Sequence, residues 1–396
     1  MNTNSLTKAV NLMLTISMCS CTLFLTGCWD RVEINDLALV LATGLDKSDG
    51  NRIELSVQLA IPIRMGGGQK GSQGGEGVPT IVEKATGNTI FEAMSRIQEK
   101  FSRRIFWGHN QVIFIGEKLA EEGIQKHIDF FARYPETRLR AYTFITAGKA
   151  IDALKVIPNL ERSSSEVARE LTNLKVGLRI TVKDLLQMLR SEADSAALPW
   201  IEVEGHQQKH EGFRLNGSAV FRKDKMVGRI NDKVTMVLLW LRNDIGMSDV
   251  TIKPVGEDGQ ISLRLIHAQT VLTPKIENGK WKMIIKIMTE DDVVENETKL
   301  NVMNTEIVRR LERQLEQDIN KRIRLALNEV QKDMKADIVG FGIAFNRQYP
   351  DQWAKVKEQW DEKFPEIEVD IKSKVYIRSP GSSTIPQGVP ENEVKE

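Results

Sequence analysis

The sequence predicts an α+β fold: three mixed α/β domains with largely antiparallel sheets packed by helices, the last domain with one long amphipathic helix across a sheet. Three observations carry that expectation. Apolar runs flank Asp49-Gly50 and Asn278-Gly279, dipeptides that close tight hairpins. A Ser or Thr followed three residues later by an acid stands before apolar stretches at Thr89, Ser163 and Thr181, the signature of a capped helix start. From Thr305 to Met334 apolar residues recur at Val308, Leu311, Leu315, Ile319, Ile323, Ala326, Val330 and Met334. Their mean spacing of about 3.7 exceeds the coiled-coil period and fits one helix laid across a sheet.

The first 27 residues carry one charge, Lys8, then an apolar run from Leu12 to Leu25. A basic start and a short apolar stretch ending in small residues form an export signal. The run is short and diluted for a spanning helix, which needs about 20 mostly apolar residues. It ends Leu25-Thr26-Gly27-Cys28, a bacterial lipobox, so a diacylglycerol thioether is expected on Cys28 after cleavage before it. Two acyl chains hold a protein on a bilayer effectively permanently; one does not. Cys19 and Cys21 leave with the signal, so no free thiol remains for a disulfide, a Cys-metal site or a nucleophile. Basic and acidic residues then balance, and nucleic acid is not an expected partner.

The fold starts directly behind the lipid. Trp29-Asp30-Arg31-Val32-Glu33 leads into an apolar run from Asn35 to Leu45, and Ile53 to Leu59 alternates beyond the Asp-Gly turn. With no polar tether, the body is expected flush with the membrane. Trp29, Asp30, Arg31 and Glu33 are the candidate partner or membrane contacts; an indole suits an interface. Gly66 to Gly77 is glycine-dense but lacks the Gly-Lys-Ser/Thr of a phosphate loop, and reads as a surface loop. Further strands are expected at Val78 to Thr86, Gln111 to Ile115 and Arg138 to Thr146, with helices from Ile90, Gly116, Val167 and Leu185.

A domain boundary is expected near Trp200. The resulting plan is a signal over 1–27, a membrane-proximal domain over 28–200 with a helical section at about 160–198, a middle domain over 201–258, a C-terminal domain over 259–380 and a tail over 381–396. Beyond the boundary, Leu215 to Phe221 and Met226 to Ile230 form a hairpin, and Val234 to Leu241 is apolar. Two long strands meet at Asn278-Gly279. After the long helix, a shorter one is expected to carry Trp353, Val356, Trp360 and Phe364 on one core face. A strand with Ile367, Val369, Ile371, Val375 and Ile377 follows.

Chemistry-bearing residues are sparse. His109 reads as a strand-edge histidine in a hydrogen bond. His206 and His210 could share a helix face, but Gly205 and Gly212 bracket too short a segment and no third metal ligand stands nearby. Neither Gly-x-Ser-x-Gly nor His-Glu-x-x-His occurs. No catalytic residue, metal or cofactor is expected, and the chain reads as a non-enzyme.

The run CWDRVEINDLALV with Gly44-Leu45-Asp46, then Gly87-Asn88-Thr89-Ile90-Phe91-Glu92-Ala93, Gly108-His109-Asn110-Gln111-Val112-Ile113, Asn216-Gly217-Ser218-Ala219-Val220-Phe221 and Asp337 to Gly342 with Pro350 and Trp353 behind, resembles the Ger(x)C family in matching order. This resemblance implies the lipoprotein C subunit of a spore germinant receptor, on the outer face of the inner spore membrane. It also implies complex formation with A and B membrane subunits and a response to small nutrients. It supplies no catalytic residues. The competing expectation is a solute-binding lipoprotein of a transporter, which would need two lobes of repeated βαβ units around a cleft.

Overall fold

The computed structural model describes residues 11–17, 20, 36–61, 80–174, 177–191, 193–205, 212–244, 248–383, 386–387 and 389–395. Cys28, Trp29, Asp30, Arg31 and Glu33 lie outside the described residues, as do the glycine-dense segment 66–77 and His206 and His210. Among the described residues no helix is long and apolar enough to cross a membrane.

Strands β1 (Leu37–Lys47) and β2 (Ile53–Ala60) form the first hairpin, with Gly50 at φ +67° in its turn. β3 (Thr80–Gly87) pairs antiparallel with β2. Helix α1 (Ile90–Gln98) starts as the sequence predicts: Thr89 Oγ1 accepts from Glu92 N at 3.1 Å, and Glu92 Oε2 accepts from Asn88 N at 2.7 Å. β4 (Arg104–Phe106) and β5 (Val112–Gly116) both run parallel to β1. After α2 (Glu117–Glu122) and α3 (Gln125–Arg133) comes β6 (Tyr142–Thr146), shorter than expected because Arg138 to Ala141 make a turn. Three helices follow: α4 (Ala150–Leu154), α5 (Ser164–Asn173) and α6 (Val182–Leu189). Ser163 caps α5, and Thr181 with Asp184 forms a complete capping box on α6. β7 (Ser195–Glu204), β8 (Gly212–Arg222) and β9 (Lys225–Ile230) complete a nine-stranded sheet of order β3-β2-β1-β5-β6-β7-β8-β9, with β4 beside β1.

The centre of this sheet, β1-β5-β6-β7, is parallel, and its flanks are antiparallel. Parallel strands are buried on both faces, which is why β5 is apolar throughout and does not alternate. The position expected as a boundary, Trp200, lies inside β7. Pro199 is tolerated there because it sits beside a bulge, and β6 pairs with β7 only from Trp200 onward. Residues 201–258 contribute β8 and β9 to this sheet, then α7 (Asp232–Leu241) and β10 (Asp249–Ile252).

The second sheet has the order β10-β11-β12-β13. β11 (Ile261–Glu277) and β12 (Lys280–Asn296) are the long hairpin, with Asn278 at φ +52° and Gly279 at φ +76°, both left-handed as the tightest hairpin turn requires. Helix α8 (Thr305–Leu327) packs on this sheet through Leu311, Leu315, Ile319, Ile323 and Ala326, while Ile307 takes the buried place expected for Val308. The regular helix stops at Leu327; Asn328–Asp333 continues as a wider π turn that accommodates Val330.

The helix expected to carry Trp353 to Phe364 is broken. After α9 (Phe341–Gln348), the chain forms α10 (Pro350–Trp353), a 3-10 turn and α11 (Trp360–Lys363) before β13 (Glu368–Ser379). The reason is packing. Seven residues of straight helix would separate two rings by about 10 Å along the axis. Trp353 and Trp360 instead meet edge to face with centroids 4.5 Å apart, and Phe345, Trp281 and Phe364 join them. One contiguous hydrophobic core runs from Val40 in the first sheet to Val375 in the second; a smaller one lies beneath α4 and α5.

Asp291 sits on the buried face of β12, 5 % exposed, with Thr289 Oγ1 donating to it at 2.9 Å. Burial, aided by neighbouring Asp292, pushes its carboxyl up from 3.8 to about 6. The folded chain therefore holds this proton more tightly than the unfolded chain. The stability tied to it is full below about pH 4 and lost as pH rises through about 6. Asp291→Asn keeps an acceptor for Thr289 and removes the charge. It is expected to raise stability by roughly 2–3 kcal/mol at about pH 8 and by almost nothing at about pH 4, read from urea unfolding midpoints.

Candidate functional site

Several described residues of the recurring motifs hold backbone or side chains in place. Asp46, at the end of β1, is buried and accepts from Ala150 N at 2.8 Å and Ile151 N at 3.1 Å, capping α4 from another strand. Burial pushes its carboxyl above the usual range, against the pull of those two amides. Gly44 packs on Leu154 and Ala150. Gly116 is obligatory, because a Cβ there would lie 2.2 Å from Asp46 Oδ1. Gly108 is pressed on the Phe106 ring. His109 Nε2 lies 3.2 Å from Gln111 Nε2, and Gln111 Oε1 accepts from Arg169 at 3.0 Å. Burial, with Arg138 and Arg169 nearby, pushes the His109 imidazole down. That is the hydrogen-bonded strand-end histidine the sequence suggests.

In β8, Asn216 donates to both oxygens of Glu202, which also accepts from Trp200 Nε1 and Arg229; the Arg229 guanidinium lies 5.0 Å from the Trp200 ring centroid. Ser218 Oγ meets Thr235 Oγ1 at 3.0 Å, tying the sheet to α7.

The run Asp337 to Gly342 forms a knot. The buried Asp337 carboxylate accepts from Gly340 N (2.9 Å), Phe341 N (3.0 Å), Gly342 N (2.6 Å) and Trp360 Nε1 (3.0 Å). Burial pushes its carboxyl up, opposed by the four donors. Gly342 has no room for a side chain: a Cβ would stand 2.9 Å from the Trp353 ring. This knot seats α9 and the aromatic cluster together.

Beside the knot lies a cleft of about 560 Å³ where the two sheets meet, walled by α6, the end of α7 and residues 337–343. Arg242, the C-cap of α7, lines it. Its Nε donates to the Ile338 carbonyl at 2.9 Å, and its Nη2 reaches Met188 Sδ at 3.7 Å. Nothing in the local sequence marks Arg242, because both partners are far along the chain. Among the described residues no group of three or more His, Cys, Asp or Glu side chains could hold a metal ion. The sequence-derived contacts Trp29, Asp30, Arg31 and Glu33, and the lipid site Cys28, fall outside the described residues and are not placed.

Fold and motifs define a class: α+β proteins of two mixed, helix-packed sheets whose signature residues hold backbone in place. Two family models match. The spore germination protein N-terminal domain covers residues 30–203, and the spore germination B3/GerAC-like C-terminal domain covers residues 216–381. The chain belongs to the Ger(x)C family of spore germination proteins and has a role in spore germination. It is 29 % identical over 391 residues to spore germination protein KC of Bacillus subtilis (strain 168), covering 93 % of this chain and 96 % of that one. It is 26 % identical to spore germination protein B3 of the same organism, covering 89 % of this chain and 94 % of that one. The crystal structure of the GerBC protein is similar in fold, with a TM-score of 0.54 and 22 % identity over 85 % of this chain and 97 % of that chain.

Proposed function

We propose that the chain is the lipid-anchored C subunit of a nutrient germinant receptor, acting without catalysis as a scaffold beside A and B membrane subunits on the outer face of the inner spore membrane. The observation that carries this reading is the family match over nearly the whole chain, with the motif residues Asp46 and Asp337 engaged in holding backbone amides. The lipobox at Leu25 to Cys28 supports the anchor. The relatives' names, which number a third or C component in each of several germination systems, support a multi-subunit assembly.

Cys28→Ala tests the anchor and the assembly together. The two acyl chains are the attachment, so this variant is expected to leave the membrane fraction almost completely and to abolish germination in response to the receptor's nutrient. Trp29→Ala with Asp30→Ala, in the lipidated chain, is expected to lower co-recovery of the A and B subunits from spore membranes. Wild-type chain found free of membrane, with an unacylated first residue, would overturn the proposal.

A further inference from the structure

We infer that the cleft between the two sheets is a binding site for a small organic carboxylate, with Arg242 as its anchor. The inference stands on the geometry of Arg242 and does not depend on the receptor assembly.

A guanidinium carries five N–H donors and cannot shed its charge at physiological pH. Among the described residues two of those donors are engaged: Nε on the Ile338 carbonyl, and Nη2 on a thioether sulfur, a weak acceptor. Among the described residues no carboxylate forms an ion pair with Arg242. Asp244, two residues on, and Asp337 act on it only through space, and the Asp337 oxygens are already committed to four other donors. Burial pushes the Arg242 guanidinium down to about 10. Its loss of water contact outweighs the through-space attraction of Asp244 and Asp337. The residue is part-buried, and its remaining N–H groups have no protein acceptor among the described residues. Arg242 lines the cleft beside the knot.

The cleft suits a small ligand rather than a protein segment. Its volume of about 560 Å³ lies within the range of small-molecule pockets. Its walls pair apolar surface, from Val339 and Ile343, with the polar ends of Gln187 and Ser191 and with two further charges, Arg179 and the Asp184 carboxylate, the latter taken up by the Thr181 cap. A planar carboxylate matches the fork of a guanidinium and gains charge-assisted hydrogen bonds there. Asp244, exposed at the rim, disfavours dianions, so one carboxylate on a short apolar body fits best.

The test is calorimetric titration of the full-length chain at low salt with propionate, using propionamide, equal in shape but uncharged, as the control. Saturable binding of propionate without binding of propionamide is the expected result. Arg242→Gln is expected to weaken propionate binding by about 10- to 100-fold. Ile343→Trp places bulk in the cleft from a half-exposed wall position and leaves the bonds of Arg242 in place, so it should abolish binding in a folded chain. Equal binding of propionate and propionamide, or binding undiminished in a folded Arg242→Gln chain, would overturn the inference. If Arg242→Gln does not fold, unchanged binding by Ile343→Trp would overturn it.

Discussion

Asp337→Ala is expected to cost about 4 kcal/mol or more, enough to unfold much of the population of a marginally stable protein. The reason is the number of donors that depend on one carboxylate. Gly340 N, Phe341 N and Gly342 N open helix α9, where helical amides have no partner of their own. Trp360 Nε1 is the fourth, and it belongs to the aromatic cluster that closes the second sheet. Removing the carboxylate leaves three buried donors and one part-buried donor, Gly340 N, without their acceptor, each buried one costing about 1–3 kcal/mol before relaxation. Asp337→Asn should be intermediate. Its single oxygen can serve the two amides now on Oδ1, while Gly342 N and Trp360 Nε1 lose theirs. Urea unfolding of the three chains should rank Asp above Asn above Ala. An alanine variant as stable as wild type would remove the knot from the account of the fold.

Gly217→Ala should destabilise by about 3 kcal/mol or more, for a different reason. Asn216 and Gly217 together oppose Trp200, a bulge in the β7–β8 ladder, and Gly217 has φ +85°. A Cβ there would lie 1.9 Å from the Ile230 carbonyl oxygen, inside any contact distance, so β8 or β9 would have to move. Gly50→Ala is the control. Gly50 is also left-handed, at φ +67°, but nothing lies within 4 Å of an added Cβ. It should therefore cost only the backbone term, about 1 kcal/mol. The difference between the two substitutions isolates the collision from the conformational preference, and similar costs would contradict the close packing at Gly217.

Local signals were legible where the physics is local. Asn278-Gly279 closes the long hairpin, and Thr89, Ser163 and Thr181 cap the helices that follow them, because each device acts within a few residues. The parallel order β1-β5-β6-β7 was not legible, since strands fully buried on both faces show no alternation and adjacency across long loops leaves no periodic trace. The break between α10 and α11 was hidden for a related reason. Trp353 and Trp360, seven apart, share a face in a straight helix, and only the demand that their rings touch shows that the helix cannot be straight. Arg242 was invisible altogether: a lone arginine after an apolar run, its partners 54 residues before it and 96 after.

The parallel centre of the first sheet also governs the order in which this chain can take shape as it is made. β1 lies between β2, its immediate successor, and β5, which begins at Val112; β7 cannot join β6 until Trp200 has emerged. A growing chain therefore presents a half-bordered apolar strand, first β1, then β5 and β6 in turn, until the next parallel neighbour arrives, and loop closure over such separations is slow. Each such edge is open to pairing with a neighbouring molecule until its own partner strand has been made.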